Sequence, residues 1–76
     1  MKILLLKEDK KLLTAEGIGF DQEREFTEQE AFELLEQIYD VEIKYSNFPR
    51  DDMKASEKAA RFAHIADMIQ NQIPEN

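Results

Sequence analysis

The side chains that could carry chemistry in this sequence begin with its one histidine. His64 precedes Asp67 by three residues, and a carboxylate at that spacing could hold an imidazole that acts as a general base. The sequence places no Ser, Cys or Thr beside this pair as a nucleophile, and one histidine cannot bind a metal alone. We therefore expect His64 to be a solvated surface residue and the chain not to be an enzyme.

A second candidate is the row of alternating carboxylates at Asp21, Glu23 and Glu25, which has the spacing of the first three ligands of an EF-hand calcium loop. That loop also requires a glycine at its sixth position and a glutamate at its twelfth, where this chain has Phe26 and Phe32. The chain has no cysteine, which removes zinc–thiolate and iron–sulfur sites. The sequence predicts no metal site and no cofactor.

The only two glycines, Gly17 and Gly19, are the third candidate, because paired glycines can form a phosphate-binding loop. The stretch 17–21 lacks the third glycine, the lysine and the hydroxyl of such loops. A turn with a glycine at positive φ is therefore the better prediction.

Length and composition narrow the class of protein further. The 76 residues fit one small domain over residues 1–76, with a frayed tail at 74–76. The formal net charge of -7 argues against a general phosphate-binding surface. The longest apolar run, Ile3–Leu6, is far shorter than the roughly 18 residues that span a membrane. We expect a cytoplasmic protein without membrane contact, of bacterial or phage origin.

The clearest structural element is an amphipathic helix over about residues 28–39. Thr27 and Glu30 have the spacing of a capping box, in which each side chain binds the other's backbone N–H at the helix start. At 100° per residue, six apolar side chains fall within an arc of about 160° and predict the core face. These residues are Ala31, Phe32, Leu34, Leu35, Ile38 and Tyr39.

Strands are predicted on either side of this helix. The apolar run 2–7 and the segment 11–16 suggest a β-hairpin, although one helix over 2–16 is an alternative because Leu and Lys favour helix. Residues 41–45 alternate apolar and polar side chains, which indicates a third strand. A second helix begins at Asp51 or Asp52 and ends near Gln72. The predicted fold is therefore α+β, in the order β-β-α-β-α, with both helices packed on one face of a small sheet.

The charge distribution suggests a function. Residues 21–42 contain nine acids and one base and carry -8, while the other 54 residues sum to +1, so all of the net negative charge lies on the first predicted helix and its approach. We define the acidic face as Gln29, Glu30, Glu33, Glu36 and Asp40. Because such a one-sided face can attract a basic partner, the leading hypothesis is a non-enzymatic regulatory protein that binds a protein with a basic surface and could block a basic site on it.

Two alternatives remain open. The first is a homodimeric accessory domain whose acidic face is only solvated and whose Ile65, Ile69 and Ile73 pack against a second copy. The second is a nucleic-acid-binding module that uses the basic half of the second helix, Lys54, Lys58 and Arg61, with Tyr45 or Phe48 stacking on bases. The net negative charge makes nucleic acid the weakest of the three partners.

Overall fold

The protein is described by a computed structural model that covers residues 1–49 and 51–73. Over these residues the chain forms three helices: α1 (Lys7–Ala15), α2 (Glu28–Ser46) and α3 (Met53–Gln72). The described part of the chain contains no strand, so the predicted α+β fold is wrong and the fold is all-α. The predicted tail at 74–76 lies outside the described residues.

The N-terminal segment 1–6 is neither helix nor strand, and the predicted hairpin is absent because residues 7–15 are helical. The alternation of buried and exposed side chains expected for a strand is nevertheless present, since Ile3 and Leu5 are buried while Leu4 and Leu6 are exposed. In place of a partner strand, individual hydrogen bonds hold this segment. The Phe26 N–H donates to the Met1 carbonyl over 2.7 Å, and the Met1 ammonium donates to the Phe26 carbonyl over 2.8 Å.

The side chain of Gln72 completes the attachment of this segment. Its Oε1 accepts from the Leu4 N–H at 2.7 Å, and its Nε2 donates to the Leu4 carbonyl at 2.8 Å. One amide side chain from the end of α3 thus makes the pair of hydrogen bonds that a neighbouring strand would make. The segment is held over the core without a sheet.

The turn predicted at Gly17 is confirmed. Gly17 has φ +77° and follows Glu16, the C-cap residue of α1. The Ile18 N–H donates to the Leu13 carbonyl and the Gly17 N–H to the Thr14 carbonyl, at 2.9 and 3.0 Å. These are the two hydrogen bonds of a Schellman motif, and buried Leu13 and Ile18 supply its apolar contact.

Helix α2 starts at the predicted residue, and its end at Ser46 lies seven residues beyond the predicted end at residue 39. Both hydrogen bonds of the Thr27–Glu30 capping box form, at 3.0 and 3.1 Å. The strand predicted over 41–45 is wrong, because these residues continue the helix. Val41 and Tyr45 pack against the core while Ile43 and Lys44 are exposed. Val41 and Tyr45 lie three and seven residues after buried Ile38, which is the spacing of one helical face.

Helix α3 begins at Met53, where the Asp52 carboxylate accepts the Ala55 N–H at 3.1 Å. It packs along α2, and the segment 1–6 closes over both helices to complete one core. Ile65, Ile69 and Ile73 belong to that core. The chain's own elements therefore cover the stripe that was expected to pack against a second copy.

Candidate functional site

The acidic face lies on the side of α2 that points away from the core. Gln29, Glu33, Glu36 and Asp40 are all exposed. We call Glu33, Glu36 and Asp40 the acidic row. No cation among the residues that the structure describes forms an ion pair with any member of this row. The row is therefore a set of like charges at helical spacing without an ion pair in the described chain.

Glu30 differs from the other members of the acidic face. One of its carboxylate oxygens accepts the Thr27 N–H in the capping box, and the other pairs with the Arg24 guanidinium. Both oxygens are thus occupied at the start of α2. Glu30 acts within the fold as a helix cap, whereas the acidic row is free of such contacts in the described chain.

Beside the acidic row, α2 exposes three large apolar side chains that we call the apolar ridge. Phe32 is 46% exposed, Tyr39 38% and Ile43 57%. At 100° per residue the ridge and the acidic row are adjacent stripes whose centres lie about 70° apart. An exposed apolar stripe of this kind, bordered by charge, is typical of protein-interaction surfaces.

The exposure of the apolar ridge was not predicted from the sequence. Phe32 and Tyr39 were predicted on the core face, and Ile43 in a strand. The signal that could have separated them is the width of the apolar arc, because one neighbouring helix covers only part of a stripe about 160° wide. Ala31, Leu34, Leu35 and Ile38 fill the interface with the core and leave the edge of the arc exposed.

A second surface feature is a groove between α1 and the first half of α3, whose lining surface is mostly apolar and carries charged groups. The groove there has a volume of about 550 Å³ and brings Lys11 of α1 beside three cations of α3. We call those three, Lys54, Lys58 and Arg61, the basic row. Glu8 and Glu57 also line the groove, so its charge is mixed with a positive excess.

At one side of the groove Arg61 contacts a buried carboxylate. Asp9 is fully buried in the first turn of α1, and its Oδ1 lies 2.9 Å from Arg61 Nη2. The approach is not aligned with an N–H bond, and neither Asp9 oxygen has a hydrogen-bond partner among the described residues. Arg61 also donates to Glu8 at 3.3 Å. This arginine joins α1 to α3 and stabilises a carboxylate that has no access to water.

Tyr45 is engaged within the fold. Its ring stacks with Phe62 at a centroid distance of 6.4 Å, and Lys58 Nζ lies 5.0 Å from the ring centroid. Its hydroxyl donates to Glu16 at 2.7 Å. This hydrogen bond, together with burial and the Glu16 charge, raises the pKa of the Tyr45 phenol above 10.0. A base that stacks on this ring would have to displace these contacts.

The remaining chemical candidates are dispersed. His64 and Asp67 are both exposed on α3, and no hydrogen bond joins them. Over residues 1–49 and 51–73, no three His, Asp or Glu side chains come together in an arrangement that could bind a metal ion. Within the same residues, none of the helices combines the length and the apolar character that crossing a membrane requires.

Comparisons with known proteins add no relative to this picture. No protein-family model matches the chain, and neither a curated protein nor a solved structure matches it significantly. Any statement about function therefore depends on the surfaces described above.

Proposed function

We propose that this chain is a cytoplasmic, non-enzymatic regulatory protein that binds a partner protein through the outward side of α2. The observation that carries the proposal is the position of the apolar ridge directly beside the acidic row. Solubility alone would favour an even mixture of positive and negative charges. It also gives no reason to expose Phe32 and Ile43 beside the acidic row.

The two stripes have complementary roles in binding. Carboxylates that lack an intrachain cation can accept Lys or Arg from a partner without first breaking a contact in the described chain. Buried aromatic side chains supply most of the binding energy in many interfaces, and Phe32 and Tyr39 are the exposed aromatics of this surface. We therefore expect a partner with an apolar pocket bordered by basic side chains.

Such a surface suits a protein that blocks a basic site on its target. The row extends about 10 Å along α2, which is seven residues at 1.5 Å each, and it presents three carboxylates along that length. A basic site that normally accepts phosphates would find similar charge there. Because exposed charges are screened within about 8 Å at physiological salt, binding should weaken as salt rises, while the contribution of the ridge should persist.

The experiment is a capture of partners from lysate of the source organism, followed by titration of the purified partner by calorimetry. The row variant Glu33→Gln/Glu36→Gln/Asp40→Asn is compared with a control that neutralises three exposed acids elsewhere, Glu23→Gln/Asp51→Asn/Asp67→Asn. Both variants change the net charge equally. We expect the row variant to lose the partner and the control to retain it.

The ridge is tested separately with Phe32→Ala against Leu4→Ala, since both side chains are large, apolar and exposed. We expect the Phe32 variant to weaken the affinity by about tenfold to a hundredfold, as for an aromatic residue in the centre of an interface, and the Leu4 variant to bind normally. Equal binding by the row variant and its control would contradict the proposal and leave the acidic face merely solvated.

A further inference from the structure

The acidic row of α2 and the basic row of α3 have matching spacings. Along α2, Glu36 follows Glu33 by three residues, and Asp40 follows Glu36 by four. Along α3, the basic row has the same intervals when it is traced backwards from Arg61 to Lys58 and Lys54. An antiparallel pair of helices would thus place Glu33 opposite Arg61, Glu36 opposite Lys58 and Asp40 opposite Lys54, in one register.

The two rows cannot meet within one chain. The face of α2 that packs in the core carries Leu34 and Ile38, while the acidic row is exposed. The basic row lines the groove between α3 and α1. The internal contact between the helices follows a different register, because Tyr39 bonds to Gln70 at 3.3 Å and Tyr45 stacks on Phe62. Matching the rows therefore requires a second molecule.

We propose that the α1–α3 groove binds the acidic row of a second copy of this chain, in a head-to-tail contact. The occupant is indicated by charge complementarity in register. The groove offers the basic row and Lys11, and the length of about 10 Å over seven helical residues is the same in both rows. In this complex, Glu33 of one copy competes with exposed Glu8 of the other copy for Arg61. Lys54 and Lys58, which form no ion pair within the described chain, gain carboxylate partners from the second copy.

The contact has a consequence for regulation. Because self-association covers the acidic row, it competes with the partner binding proposed above. Only this competition rests on the proposed function; the self-association itself does not. A head-to-tail contact also leaves one free acidic row and one free groove at the ends of each assembly. Larger assemblies are therefore expected at higher protein concentration.

The test is sedimentation analysis of wild-type and charge-reversed chains, from micromolar to millimolar concentration, at low and high salt. The acidic-row variant is Glu33→Lys/Glu36→Lys/Asp40→Lys, and the basic-row variant is Lys54→Glu/Lys58→Glu. The control Lys2→Glu/Lys7→Glu changes the net charge as much as the basic-row variant does, on exposed residues outside the groove. Circular dichroism checks that each variant is folded.

We expect wild type and the control to associate at low salt, and either row variant alone to associate about tenfold more weakly or worse. An equimolar mixture of the two row variants should associate again, because the two intact rows match each other and the two reversed rows match each other. A chain that carries both sets of reversals should associate again. Rescue of this kind separates a lost contact from a lost fold.

A wild-type chain that remains monomeric at low salt, or a mixture that fails to associate, would overturn the inference. So would a groove that binds single-stranded oligonucleotide while the chain remains monomeric, since nucleic acid would then be its occupant. The two proposals fail separately. The basic-row variant should still bind the partner protein, whereas the acidic-row variant should lose both the partner and the second copy.

Discussion

Replacing Arg61 with methionine should destabilise this fold by leaving a buried charge without its counterion. The Asp9 carboxylate is fully buried, and Arg61 Nη2 at 2.9 Å is the cation that pairs with it. Removing one partner of a buried ion pair costs about 3–5 kcal/mol. The lower end applies here, about 3 kcal/mol, because the Arg61 side chain is 37% exposed and water screens part of the interaction.

A loss of that size is a large part of the total stability, since a domain of this length has about 4–11 kcal/mol. With a urea dependence of about 1 kcal/mol per molar, the unfolding midpoint should fall by about 3 M. The assay is urea unfolding followed by circular dichroism. The matched variant Asp9→Asn removes the charge and keeps the shape, and it should cost only about 1–2 kcal/mol for a buried amide without partners.

The double variant Asp9→Asn/Arg61→Met distinguishes this explanation from simple loss of packing. If the uncompensated carboxylate is the cause, the second substitution should restore stability relative to Arg61→Met alone, because no charge is left buried. A double variant that is less stable than Arg61→Met would refute the reasoning. In that case the aliphatic stem of Arg61, and not its charge, would hold α1 against α3.

Three other predictions concern the contacts that replace a sheet and begin or fix the helices. Gln72→Ala should cost about 1–2 kcal/mol and speed amide exchange at Leu4, measured by NMR, because both hydrogen bonds of that residue come from one side chain; unchanged exchange would contradict this role. Thr27→Ala should cost about 1 kcal/mol in thermal unfolding through the lost cap, and Thr27→Ser should restore most of it. Ultraviolet absorbance should show Tyr45 ionising above pH 10.0, and Glu16→Gln should lower its pKa. Because the folded-state pKa is the raised one, this group's contribution to stability is present below pH 10.0 and is lost as pH rises through the folded value, a loss that Tyr45→Phe should abolish.

The parts of the fold that could be predicted from sequence are those with local signals. The Thr27–Glu30 capping box marked the first residue of α2, and the pair Asp51 and Asp52 marked the start of α3, where Asp52 is the N-cap. Gly17 marked the end of α1 even though that helix was predicted as a strand. Caps and left-handed glycines act through neighbouring residues, so their effect is readable in one chain without knowledge of the tertiary fold.

The strands failed for reasons that local patterns cannot resolve. Residues 41–45 alternate, but five residues are too few to separate a strand from about one and a half turns of helix. No Gly or Pro interrupts α2 before Pro49. The N-terminal segment was predicted as a buried strand from its continuous apolar run, but only Ile3 and Leu5 are buried while Leu4 and Leu6 are exposed. Its partners, however, are Phe26 and the distant Gln72 side chain, and no pattern in the segment itself indicates them.

The candidate site was predictable in part for a similar reason. Exposure of the acidic row follows from the amphipathic pattern of α2, whereas exposure of the apolar ridge depends on how much of the apolar arc the neighbouring elements cover. The basic row was visible along α3, but Lys11 joins it only because α1 folds back against that helix. A groove is a property of two elements, so its lining could not be obtained from either element alone.

The segregation of charge in this chain is therefore best understood between molecules. In an antiparallel helix pair, acids on one helix and bases on the other could neutralise each other directly. Here the internal register brings Tyr39 to Gln70 and Tyr45 to Phe62, and it leaves the matched rows of Glu36 and Lys58 on different sides of the domain. Like charges along α2 cost helix stability, and none of the three carboxylates of the acidic row forms an ion pair in the described chain. A second molecule with a basic surface, whether a partner protein or another copy, would offset it by neutralising the row on binding.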